Sequence, residues 1–377
     1  MRANVLPDAR LARHAGRFVW LSIDTESARN AGFLERFPVQ VWPTFLVIEP
    51  QEEKAVLKWL GSASVEQIDK LLADGERRER GGAEAILAQA DRANAEGRLD
   101  EALAAYRQAL AKGGARWSRR PRAVESLVLG ELSARRYEAC AATAREEGPR
   151  LPRGPSFANV VGTGLACATS APPDAAWRAP AVAALEPLAR EALALPSLLA
   201  DDRSGLFEAL AEARETRGDE AGARAIAERW WSFLAEEGRR APSAEARAAL
   251  DSARVNAALT LGDPGRALPA LRSSQRALPD DYNPLARQAL LLREMGRLSE
   301  ARAAAERALA KAYGPRKLKI YELAASILER QGDRAALDAA LGEAIAHAEG
   351  LPPAQRDDRT LSELRTRRAA LEAKSER

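Results

Sequence analysis

From Gly81 onward one punctuation recurs, and it constrains the fold more than any other feature of the chain. It reads Gly97-Arg98-Leu99-Asp100-Glu101-Ala102, Gly218-Asp219-Glu220-Ala221, Gly262-Asp263-Pro264-Gly265-Arg266-Ala267, Gly296-Arg297-Leu298-Ser299-Glu300-Ala301 and Gly332-Asp333-Arg334-Ala335, with Arg135-Arg136-Tyr137-Glu138-Ala139 as a glycine-free version. Spacings of 44, 34 and 36 residues separate the last four glycines, the interval at which helix–turn–helix units repeat in solenoids. Glycine supplies a left-handed turn, alanine lets two helices approach closely, and a larger residue fills the gap to the neighbouring pair. A lone hairpin cannot bury its apolar stripe, so such units stack.

Composition agrees and removes alternatives. With Lys+Arg 57 against Asp+Glu 54 and a net charge of +3 in 377 residues, a uniform basic face for nucleic acid is not expected. Aromatics at 5% and abundant alanine suit closely packed helices. Only His14 and His347 are present, and Cys140 and Cys167 stand apart without a CxxC spacing. No metal site, disulfide framework or Ser-His-Asp or Cys-His hydrolase is expected, and each cysteine reads as a small buried hydrophobe. Gly162-Thr163-Gly164 lacks the lysine and spacing of a phosphate-binding loop. No catalytic residue, cofactor or metal ligand is assigned. No run reaches the ~18 apolar residues of a membrane span. The first twenty residues lack the apolar core of a secretion signal, so the chain as written is expected in the cytoplasm. A start further upstream, with a signal peptide, would make it periplasmic.

The recurring units resemble tetratricopeptide repeats. In the first, Gly97 closes one helix, Ala102 is the small residue, Tyr106 the bulky one and Ala109-Leu110 the end of the second helix; a later unit repeats the spacing with Gly296, Ala301, Ala305 and Ala308-Leu309. Gly218, Gly262 and Gly332 mark further turns. About seven hairpins are expected over 83–350, the match being poorest across 151–202. The resemblance implies a right-handed superhelix whose first helices line a concave groove for a partner protein or peptide. Residues 351–377 read as a capping helix, with Leu361, Leu364 and Leu371 on one side.

Residues 1–74 differ. Arg17–Asp24, Thr44–Pro50 and Ala55–Leu60 read as strands, the last two as a hairpin, with a helix over Ser27–Phe37 and another opened by the capping box Ser64-Val65-Glu66-Gln67. Val39-Gln40-Val41-Trp42-Pro43-Thr44 is similar to the segment of thioredoxin-fold proteins in which a cis-proline enters a core strand. The resemblance covers roughly residues 5–74 and implies that Trp42, Pro43 and Thr44 form the family's cis-proline surface. The first strand and the helix start carrying Cys-x-x-Cys have no counterpart here. The expected fold class is therefore mostly α: a small, incomplete α/β thioredoxin-like domain (1–74), a charged linker (75–82) and an α-α superhelical solenoid. The expected function is a non-catalytic interaction scaffold, with a thiol-disulfide oxidoreductase lacking its cysteine pair as the alternative. Insulin disulfides should not be reduced by this chain.

Trp230-Trp231 reads as core between hairpins, Trp117-Ser118-Arg119-Arg120-Pro121-Arg122 as a solvated basic loop, and Tyr313-Gly314-Pro315 as a turn into a helix. A carboxylate-holding set of Lys and Asn on successive first helices is not supported, although Asn256 stands at a plausible position.

Overall fold

The computed structural model describes residues 5–76 and 81–373; Arg77–Arg80 of the expected linker lie outside the described residues. A 3-10 turn, Ala9–His14, precedes α1 (Ala31–Arg36), β1 (Thr44–Glu49), β2 (Lys54–Leu60) and α2 (Val65–Gly75). Helices then follow one another: α3 (Gly82–Ala95), α4 (Leu99–Gly113), α5 (Arg120–Ser133), α6 (Tyr137–Glu147), α7 (Pro155–Thr169), α8 (Arg178–Leu193), α9 (Ala200–Glu215) and α10 (Glu220–Arg240). The remainder is α11 (Ala244–Ala248), α12 (Asp251–Thr260), α13 (Leu268–Ala277), α14 (Asn283–Glu294), α15 (Leu298–Leu309), α16 (Arg316–Gln331), α17 (Arg334–Glu349) and α18 (Asp358–Ala373). The fold is mostly α, with one two-stranded sheet among the described residues. Contacts group the chain into two units. Residues up to Val19 join Phe37–Glu237 in the first, and Trp20–Arg36 join the residues from Gly238 in the second.

The repeated turns share one backbone geometry. Gly97, Gly218, Gly262, Gly296 and Gly332 have φ between 71° and 77°, and Arg135 takes φ 55° at the glycine-free turn. At each, the glycine (or Arg135) N–H returns to the carbonyl three residues back. The next N–H reaches the carbonyl five back, as in Gly296 N to Arg293 O at 3.0 Å and Arg297 N to Leu292 O at 2.9 Å. These two bonds satisfy the carbonyls that a helix end leaves open and turn the chain sharply. Alanine then does what its size permits: Ala102, Ala109, Ala301, Ala305 and Ala308 are fully buried, as is Tyr106. In the first unit α5, α7 and α9 pack on one another in succession, and in the second α12, α14 and α16 do so. First helices thus form a continuous face within each unit. In the second unit α18 follows α17, burying Leu361 and Leu364 with Leu371 packed alongside.

β1 and β2 form an antiparallel hairpin with Phe45 opposite Trp59 and Val47 opposite Leu57. Ser64 caps α2 in a capping box, its Oγ accepting from Gln67 N while Gln67 Oε1 accepts from Ser64 N. The expected strand over Arg17–Asp24 does not form. Val19 and Leu21 are 88% and 77% exposed, and no neighbouring strand satisfies the backbone there among the described residues. Instead Asp24–Ser27 belongs with the second unit. Glu26 accepts from the backbone N–H of Arg316 at the start of α16 (2.7 Å), Asp24 accepts from Tyr313, and Gln355 donates to the carbonyls of Thr25 and Ser27. A carboxylate at a helix N-terminus is favoured by the unpaired N–H groups and the dipole.

Two further expectations are corrected. Cys140 and Cys167 form a disulfide between α6 and α7, both with no exposed surface. Their distance along the sequence carried no hint, because it is helix stacking that places them opposite each other. The helices approach closely at Gly164, where a Cβ would lie 2.1 Å from the Cβ of Ala144. The segment from Trp117 to Arg122 is not a solvated loop: Arg119 pairs with Asp74, Arg120 with Glu147 and Arg122 with Asp91, whose carboxylate also accepts from Tyr106. Acids distant in sequence, two of them buried (Asp91 and Glu147), claim these arginines, which sequence alone reads as surface charge. Trp230 is buried and stacks on Phe207.

Candidate functional site

The first-helix face of the first unit is occupied by the chain's own N-terminal segment. A small core of Leu57, Trp59, Val65, Ile68 and Leu71, with Val5 and Leu11, ties the hairpin to α2, and Leu199 before α9 packs against it. The polar contacts from this segment run to first helices or to their caps. Lys58 Nζ donates to Asn94 O on α3 (2.9 Å), and Asp74 meets Arg119 before α5. Gln67 Nε2 reaches Glu125 on α5 (3.3 Å) and Ser156 on α7 (3.4 Å), and Ser62 donates to Asp202 on α9. Four successive first helices are therefore engaged by one short stretch of chain.

This seam is polar and largely buried, with Lys58, Glu125 and Asp202 each under 9% exposed. Glu125 lies between α2, α5 and α7 and accepts from Asn159 Nδ2 at 2.7 Å; burial pushes its carboxyl up to about 8, so near neutrality it is largely protonated. Burial raises Asp202 to about 6, with the hydrogen bond from Ser62 opposing. Asp202 Oδ2 and Ser204 Oγ are buried without a protein partner. Lys58, 5% exposed, is moved the other way, down to about 8, by burial alone. In the neighbouring layer Asp91 is raised by burial, against the lowering effect of Arg122 and Tyr106.

The residues expected to mark a site are placed as follows. Trp42 is 51% exposed. The Trp42–Pro43 peptide bond is cis, Pro43 O accepts from Gly61 N (2.8 Å), and Thr44 Oγ1 donates to Val41 O (2.6 Å). They sit at the entry to β1. The repeat-defining glycines and alanines are turn and packing residues, distributed over both units. What the sequence reading missed is the seam itself: Lys58, Gln67, Glu125, Asn159 and Asp202. The capping box at Ser64 was legible, but Gln67 spends its amide N–H on a helix distant in sequence, and no spacing rule connects the two.

No family model matches the chain, and no curated protein matches it. Several solved structures are similar to it in part. A tetratricopeptide repeat protein from Parabacteroides merdae shows 11% identity over 75% of this chain and 96% of that one, with a TM-score of 0.48. A thermophilic tetratricopeptide repeat protein of Thermus thermophilus shows 16% identity over 77% of this chain and 98% of that one, with a TM-score of 0.27. The TPR2AB domain of yeast Sti1, solved as a complex with pHSP90, shows 16% identity over 76% of this chain and 98% of that one, with a TM-score of 0.29.

Proposed function

We propose that the chain is a non-catalytic protein–protein interaction scaffold that binds a partner protein or peptide along the first helices of its repeats. The observation that carries this reading is the occupied face of the first unit. There α3, α5, α7 and α9 hold a folded polypeptide segment through side chains and caps, using the same geometry that would serve a partner. In this reading the N-terminal segment is a resident ligand of the first unit, and the first helices α12, α14 and α16 offer the corresponding face of the second to a partner.

Residues 37–74 are read as the closing part of a thioredoxin-like module, supported by the order β1, β2, α2 with Pro43 at the entry, and Trp42, Pro43 and Thr44 as a second contact surface. The oxidoreductase alternative gains nothing from the cysteines. Thiol–disulfide exchange needs an accessible sulfur, and both sulfurs are buried between α6 and α7. A buried disulfide favours an oxidising compartment over the cytoplasm, the periplasmic option of the sequence reading. Alkylation of the endogenous protein without reductant, followed by intact mass, should find both cysteines protected.

Site-specific photo-crosslinking tests the scaffold reading. A crosslinker placed at Asn256, Arg287 or Ser326 of the full chain should capture protein in cells. One placed at Arg272, Glu306 or Glu343, on the second helices, should not. Equal capture from both sets, or capture from neither, sinks the reading.

A further inference from the structure

Within the second unit, the start of α16 holds a short acidic stretch of the chain's own sequence. Asp24-Thr25-Glu26-Ser27 forms a turn in which Asp24 Oδ1 accepts from Glu26 N at 3.0 Å. Tyr313 Oη donates to Asp24 Oδ2 (3.0 Å), and Arg316 N donates to Glu26 Oε2 (2.7 Å), with Arg316 Nε 3.6 Å from the other oxygen. Gln355 Nε2 donates to the carbonyls of Thr25 (2.7 Å) and Ser27 (3.2 Å). Gly314, with φ 60°, permits close approach: a Cβ there would stand 2.2 Å from Glu26 O. His347 Nε2 donates to the Gly314 carbonyl at 2.9 Å and fixes that turn. Side chains and main chain of the stretch are both recognised, as in a peptide site.

Two further observations mark this occupant as exchangeable. Gln355 is 7% exposed, yet its Oε1 has no protein donor, so the stretch leaves a buried acceptor unmet. The chain leading to it is also held by little: residues 18–23 make no backbone–backbone hydrogen bond among the described residues, and Val19 to Ser22 are exposed.

We propose that this is a binding site for an acidic segment of a partner protein, two carboxylates two residues apart in a tight turn, and that Asp24–Ser27 occupies it in cis as a pseudo-ligand. The helix N-terminus and Arg316 supply the charge complement, and a partner that also brings a donor to Gln355 Oε1 satisfies the site more fully than the resident stretch does. Because the resident stretch is tethered, its effective concentration is high and it keeps weak competitors out. This deepens the scaffold reading, but crosslinking at Asn256 and Ser326 tests that reading separately and can succeed where this site fails.

The test uses the full chain carrying Asp24→Asn with Glu26→Gln, which removes both carboxylates from the pseudo-ligand. Hydrogen exchange over residues 312–319 should rise about tenfold, the scale of a lost charge-assisted bond, with the rest of the second unit unchanged. The blocked peptide of residues 23–30, added in trans, should restore protection in this variant and bind the parent at least about tenfold more weakly. The same peptide with Asn and Gln in place of the two acids should do neither. Adding Gly314→Ala should abolish binding, whereas Gly332→Ala, which brings comparable backbone strain at φ 72° away from the stretch, should not. Unchanged exchange in the variant, no protection by the acidic peptide, equal protection by the neutral one, or binding that survives Gly314→Ala overturns the proposal. Self-association of the variant that Gly314→Ala abolishes would assign the site to a second copy and overturn the partner assignment.

Discussion

The two units are stacked helices made in different ways. In the second, the core is apolar and interleaves small residues, Ala301, Ala304, Ala305 and Ala308 on α15, with larger ones such as Leu285, Ile320 and Leu341, and its ion pairs are largely exposed, as in Arg302 with Glu306 and Asp333. Among the described residues its buried acid is Asp251, whereas the first unit buries Asp91, Glu125, Glu131, Glu147, Glu186 and Asp202. Apolar stacking alone tolerates sliding and substitution; a buried carboxylate must meet its own partner or leave a charge unsatisfied. The difference teaches that the regular second unit is specified by turn and size, and the first by pairwise polar contacts, several of which key in the N-terminal segment.

The sharpest way to break this comparison is to remove one partner of a buried pair. Arg122→Ala strands Asp91 in the first unit and should cost about 3–5 kcal/mol, whereas Arg302→Ala in the second should cost below about 1 kcal/mol. Tryptophan fluorescence during urea unfolding separates the two, since six of the seven tryptophans, from Trp42 to Trp231, lie in the first unit. Equal losses would mean the buried acids do not specify that unit. Next in size is the disulfide. It closes a loop of 27 residues, and chain entropy puts its removal at about 3.5 kcal/mol. The Cys140→Ser, Cys167→Ser double variant should therefore shift the fluorescence transition, while leaving hydrogen exchange in α14 to α17 unchanged.

The same contrast explains what could be read in advance. Turns at Gly97, Gly296 and Gly332 were legible because a left-handed residue at a helix end is a local requirement, met within six residues of chain. The hairpin β1–β2 and the cap at Ser64 were legible for the same reason. Arg17–Asp24 was misread because its apolar run, Phe18 to Ile23, satisfies the local pattern of a strand, yet a strand exists only with a neighbour, and pairing is not a local property. Arg119, Arg120 and Arg122 looked like solvated charge because their acids, Asp74, Glu147 and Asp91, are 45, 27 and 31 residues away. The seam at Lys58, Gln67 and Glu125 was invisible for that reason as well.

A smaller effect sharpens the comparison through pH. Glu125 titrates near an ordinary 4.5 when unfolded and near about 8 when folded. Between those values the unfolded chain has released the proton and the folded chain keeps it, so stability falls as pH rises from about 4.5 to about 8. Glu125→Gln keeps the hydrogen-bonding shape of the neutral acid and removes the titration. The urea midpoint of the variant should exceed that of the parent at pH 8 and converge with it near pH 4.5. In the second unit Glu300, Asp333 and Asp338 are held below their usual range by Arg297, by the Ala336 N–H together with Arg302, and by Arg368. These carboxylates have the opposite sign, giving stability above their unfolded pKa that is lost as pH falls. A parent whose first unit shows no loss on going from pH 5 to pH 8 would contradict the protonated state of Glu125.

The smallest expected effect lies at the turns, where the two units should behave alike. Gly296 holds φ 72° at no steric cost, while Arg135 holds φ 55° with a Cβ that crowds the following carbonyl. Gly296→Ala should destabilise the second unit by about 1 kcal/mol, and Arg135→Gly should stabilise the first by a similar or smaller amount, because glycine also gains freedom in the unfolded chain. Arg135 itself is exposed, so little packing is lost on its replacement. Hydrogen exchange of the amides flanking each turn reads both changes. If Arg135→Gly were destabilising, its turn would be held by something other than the two backbone bonds from Arg135 and Arg136 to the carbonyls of Leu132 and Glu131. The repeat would then owe its regularity in the first unit to side chains and not to the turn.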